Sequence, residues 1–111
     1  METGFTYNVT FVVHPEMETR LTDYIRRQLM GLLFNPTSPA CNPELRKVVE
    51  AGGEKTGPDH GLSIALSASF ESEGDAHEWN DRMLIPALGD FHREFGPHSL
   101  FFVTLLQNLT V

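Results

Sequence analysis

The closing stretch SLFFVTLLQNLTV, residues 99–111, constrains this chain more than any other part of it. Its aromatic and β-branched residues suit an extended strand, and neither Gly nor Pro interrupts it. Phe101, Val103, Leu105 and Leu109 alternate onto one side, and Leu100, Phe102 and Leu106 onto the other. A strand that is apolar on both faces needs cover on both. One helix layer of a small domain supplies one cover. The sequence therefore predicts a second, supplied by another copy of the chain.

The rest of the chain falls into alternating periods. Tyr7, Val9, Phe11 and Val13 share one face of a strand, with Asn8, Thr10, Val12 and His14 on the other. Pro15 ends that strand and opens a helix, where its missing N–H is no loss. Glu16 and Glu18 then favour the positive end of the helix dipole. Met17, Leu21, Tyr24, Ile25, Gln28, Leu29, Leu32 and Leu33 follow the helical period, which predicts a helix over residues 15–33. The prolines of residues 35–43 mark a loop. Residues 45–50 form a short second strand whose Arg46 and Lys47 suit a sheet edge. The Gly-rich run 51–61 reads as a long, mobile hairpin connection.

Residues 62–71 alternate most cleanly. Leu62, Ile64, Leu66, Ala68 and Phe70 face one way, and Ser63, Ala65, Ser67, Ser69 and Glu71 the other. The second set is nearly all small, so another surface can approach it closely. Ser72 caps a second helix, with Asp75 in its first turn. The apolar stripe of that helix is Ala76, Trp79, Met83, Ala87, Leu88, Phe91 and Phe95, with a kink at Pro86 and a stop at Gly96–Pro97. The order strand, helix, strand, strand, helix, strand predicts an α+β domain of ferredoxin-like βαββαβ topology. Both helices lie on one face of a four-stranded antiparallel sheet. Pairing two bare faces gives a dimeric α+β barrel, with a homodimer formed through the sheet face.

The length of 111 residues leaves room for one domain, spanning 1–111. A net charge of −7 argues against nucleic acid as a partner, because phosphates need a basic face. Positive charge clusters only at Arg26–Arg27 and Arg46–Lys47. Cys41 is the sole cysteine, which excludes an intramolecular disulfide and a thiolate metal cluster. With no basic start, no long apolar run and no span of membrane length, the expected setting is the cytoplasm, away from any membrane. Asn8-Val9-Thr10 and Asn108-Leu109-Thr110 match the glycosylation pattern but are read here as strand chemistry.

Several side chains are candidates for chemistry. The topology brings His14, His60 and His98 to one end of the sheet, with His92 at the nearby helix end. Grouped neutral imidazoles can bind a transition metal or move protons. Their dispersed spacing matches no metal motif, so neither metal nor cofactor is expected. Asp59–His60 could orient a base toward Ser63 if the three converge. Cys41 lies among prolines, with nothing beside it to lower a thiol pKa. His77 and Glu78 belong to a solvated helix face.

Tyr7-Asn8-Val9-Thr10, the acidic second helix ending in Phe95-Gly96, and Phe102-Val103-Thr104-Leu105 together resemble a small bacterial domain family of unknown function. The resemblance runs from about Tyr7 to Leu109. It implies a dimeric α+β barrel and no particular activity. The set Asn8, Trp79 and His92 is also similar to one in haem-degrading monooxygenases of the same barrel fold. Those enzymes use an Asn on the first strand with a Trp and a His on the second helix, in a pocket between sheet and helices. The expected function is thus a small homodimeric module that binds a small molecule or a protein partner. The alternative is a cofactor-light, monooxygenase-like enzyme. The plainer role of Trp79 is a core anchor with its N–H bonded to a nearby acceptor.

Overall fold

A computed structural model of the chain describes residues 4–49 and 61–110. Strand β1 (Phe5–Val13) alternates as its sequence demands, with Tyr7, Val9, Phe11 and Val13 buried. His14 then turns the chain: its Nδ1 accepts the Glu16 N–H at 3.2 Å, and Pro15 starts the first helix.

Helix α1 spans residues 15–33 as predicted, but it is not uniform. A 3₁₀ turn, Pro15–Met17, leads into regular helix, Glu18–Tyr24, then a wide π turn, Ile25–Leu29, and a last regular turn, Met30–Leu33. Leu21, Ile25, Leu29 and Leu33 are all buried, each four residues after the last. A constant step of four outruns the 3.6-residue period, and the wide turn absorbs the difference. The same widening swings Leu32 out to solvent, where the uniform period had placed it inward.

Strand β2 (Cys41–Lys47) begins earlier than residues 45–50 and ends earlier too. The predicted loop over 35–43 hid its start, because Pro43 is a poor strand residue. Here Pro43 sits in a bulge between Cys41 and Glu44, beside Asn42 at φ 51°, where no ladder N–H is required. The Gly-rich connection lies outside the described residues, apart from Gly61. There a Cβ would run into the Val13 carbonyl oxygen, so only glycine lets β3 start so close to the end of β1.

Strand β3 (Leu62–Phe70) buries Ile64, Leu66, Ala68 and Phe70. Helix α2 (residues 73–87) opens on Ser72, whose Oγ accepts the Asp75 N–H at 3.1 Å. It carries its own π turn, Asn80–Leu84, before Pro86. The expected kink is a full break at residues 88–90, after which α3 (Phe91–Phe95) begins. The π turn also brings Leu84 into the core, which the uniform stripe had missed. Strand β4 (Leu100–Gln107) closes the fold.

All pairings are antiparallel, in the order β2-β3-β1-β4. This is the ferredoxin-like α+β fold, with the helices covering one face. Trp79, Phe11, Phe70, Phe91 and Leu21, Leu29 and Leu33 of α1 fill the space between helices and sheet. Among the described residues, no helix is long and apolar enough to cross a membrane.

Candidate functional site

The sheet face away from the helices is built by register. Val12, Thr10, Asn8 and Thr6 of β1 lie between Ser63, Ala65, Ser67 and Ser69 of β3 and Leu100, Phe102, Thr104 and Leu106 of β4. Glu44 and Arg46 of β2 extend the surface and are paired with each other. Leu100, Phe102 and Leu106 are 47%, 53% and 48% exposed. They line β4, with Thr104 between Phe102 and Leu106, beside the shorter side chains of β1 and β3. Single exposed apolar residues are ordinary, but three large ones along one strand of a sheet face mark a contact surface. The face carries little charge although the chain is strongly acidic.

The structure separates the three residues of the monooxygenase-like set. Asn8 is on the open face, where its Nδ2 donates to Thr10 Oγ1 at 3.1 Å. Trp79 is on the opposite side of the sheet, 1% exposed, with its Nε1–H donated to the Leu33 carbonyl at 2.9 Å. That bond satisfies a carbonyl at the end of α1. Phe70, Tyr7 and Phe34 enclose the indole at centroid distances of 5.2, 6.0 and 6.2 Å. Packing fills the space around Trp79 with side chains.

His92 stands apart from both, on α3. It stacks against Phe101 at 5.8 Å and meets the edge of Phe91 at 5.5 Å. Its Nδ1 lies 3.3 Å from Ser99 Oγ. Ser99 is buried, 2% exposed, and its hydroxyl donates to the Gly96 carbonyl at 2.6 Å. With that proton committed, the hydroxyl can only accept from His92. The Nδ1–H tautomer follows, and Nε2 carries the lone pair. Ser99 was absent from the sequence candidates; its signal was a hydroxyl just before an apolar strand, seven residues after a histidine.

The register leaves His14 and His98 at one end of the sheet, each two residues beyond the Val12–Leu100 pair. His14 caps the first turn of α1, His98 is exposed in the turn before β4, and His77 faces Glu73 at 3.2 Å on the outside of α2. His60 and Asp59 lie outside the described residues, whereas Ser63 is on the open face. No cluster of three His, Cys, Asp or Glu side chains able to hold a metal occurs among the described residues. Cys41 donates to the Ser69 carbonyl at 3.3 Å.

A shallow cleft of about 550 Å³ runs along the outer side of α1, lined by Arg20, Asp23, Tyr24, Arg27, Glu94 and Phe95 among others. Arg20 crosses it, paired with Glu94 at 2.9 Å and 5.5 Å above the Phe95 ring. It holds none of Asn8, Trp79 or His92.

No protein-family model matches the sequence, and no curated protein matches it. Solved structures do share its fold. A protein of unknown function from Nitrosomonas europaea superposes with a TM-score of 0.66 at 16% identity, over 98% of this chain and 92% of that one. A dimeric ferredoxin-like protein from an uncultured marine organism gives 0.65 at 10% identity, over 99% of both chains. A Streptomyces coelicolor monooxygenase in complex with nanaomycin D gives 0.64 at 13% identity, over 98% and 90%. At such identities the likeness is one of fold.

Proposed function

We propose that this chain is a cytoplasmic homodimeric module, paired through its open sheet face, that binds a small molecule or a protein partner. The observation that carries the reading is the exposure of Leu100, Phe102 and Leu106 beside the small residues of β1 and β3. Size supports it. Strands of seven to nine residues, rising about 3.3 Å per residue and spaced about 4.8 Å, make a face of about 500 Å² in projection. Two such faces together reach the roughly 1,000 Å² that a specific pair needs. Charge supports it as well. Two copies of −7 repel wherever their acidic surfaces meet, and this face is nearly neutral. A structural neighbour described as dimeric has the same fold. Light scattering at micromolar concentration should give twice the 12.5 kDa of one chain. Phe102→Glu should give a folded monomer, and a dimer that survives it removes this reading.

A second reading, a monooxygenase-like enzyme, is favoured by the geometry of His92. An imidazole held at Nδ1 with its lone pair on Nε2 is oriented to act as a base. Oxygen uptake with nanaomycin D, the ligand of the monooxygenase neighbour, abolished by His92→Ala, is the outcome that reading requires. No uptake would leave the module alone.

A further inference from the structure

Across the middle of the open face, the register lines up Glu44, Ser67, Asn8 and Thr104, one from each strand. On β4 this polar row is bracketed by Phe102 on one side and Leu106 on the other. Asn8 is its centre: it is the fourth of nine residues in β1, and β1 is one of the two inner strands. It is also the longest polar side chain that the inner strands present there. One proton of its amide goes to Thr10. An amide offers a second proton and a carbonyl oxygen, and neither is bonded among the described residues. Water serves them in a single copy. A second copy laid over the face removes that water, and a buried polar group left unpaired is costly.

We propose, building on the homodimer reading above, that Asn8 fixes the register of the pair by hydrogen bonding to the central polar row of the second copy. A self-complementary face has its two-fold axis through its middle, so central residues lie across from their own copies. Stacked sheets stand about 10 Å apart. Ser67 and Thr104 are too short to reach mid-gap, but an amide from each side meets at bonding distance. The apolar residues of β4 supply attraction without direction, and two greasy surfaces can slide. Only the arrangement with the polar rows opposed leaves no amide stranded, much as one buried Asn selects a single register in a coiled coil.

The test is charge complementation. Asn8→Asp and Asn8→Lys should each weaken self-association at least about tenfold, because like charges then face each other. Mixing the two variants should restore a dimer, now a heterodimer, by sedimentation. If both variants pair as tightly as the natural chain, Asn8 is not in the interface and the proposal is overturned. If each is weakened but the mixture is not restored, the rows are not opposed; the proposal falls while pairing through this face, tested by Phe102→Glu, stands. Asn8→Leu guards against misfolding of a charged variant. It should still dimerise, but with a broadened distance distribution between spin labels on Cys residues introduced at Thr37, the native Cys41 being replaced by Ser. One sharp distance equal to that of the otherwise identical Asn8 protein would overturn the proposal.

Discussion

At the scale of single residues, Trp79 shows how one side chain joins two elements. It fills the core under β1 and β3 and gives its indole proton to the last turn of α1. Trp79→Ala should therefore cost about 3 to 5 kcal/mol, the range for large aromatic deletions. Trp79→Phe should recover most of the packing and lose the bond to Leu33, worth about 1 kcal/mol. Denaturant melts of the two variants separate these contributions, and a loss below about 1 kcal/mol for Trp79→Ala would mean the ring is not an anchor. The anchoring of Trp79 was legible from its place in an apolar stripe. Its acceptor was not, because Leu33 is far away in sequence and the pairing exists only once α1 and α2 are packed. His14 and His92 show the same limit. Sequence marks a histidine, but whether it caps a turn or leans on Ser99 depends on neighbours that the fold supplies.

At the scale of elements, the two long helices depart from the uniform period in the same way. Each has a π turn near its middle, Ile25–Leu29 in α1 and Asn80–Leu84 in α2. Period counting located both helices and most of their buried stripe. It misplaced Gln28, Leu32 and Leu84, because a widened turn rotates the residues within and after it. Tyr24, just before the first π turn, ties α1 to α2 by donating its hydroxyl to the Ala87 carbonyl at 3.4 Å. Burial, followed by the charges of Asp90 and Glu94, raises its pKa above the ordinary 10. The neutral phenol is thus the form the fold prefers. That preference costs nothing below pH 10, and the stability it represents is lost as pH rises through the folded-state pKa. Tyr7 shifts the same way, from burial and then Asp81 and Glu73. Chemical melts at rising pH should lose stability above about pH 10, and Tyr24→Phe should flatten that decline. A wild-type midpoint unchanged on the alkaline side of 10 would contradict the shift.

At the scale of the whole molecule, the strand order and the layering were readable from the periods alone, because alternation and topology rules admit few arrangements. The bare, half-apolar face was readable too. The row of Glu44, Ser67, Asn8 and Thr104 was not, since it is a property of register across four strands and no single strand shows it. The two outer strands of this sheet also differ in kind. β2 is interrupted by a bulge, a proline and ion-paired side chains, all of which discourage a further strand. β4 is regular and carries none of these. A sheet blocked at one margin cannot be extended strand by strand through both of its edges, so stacking of copies edge to edge cannot propagate into a filament.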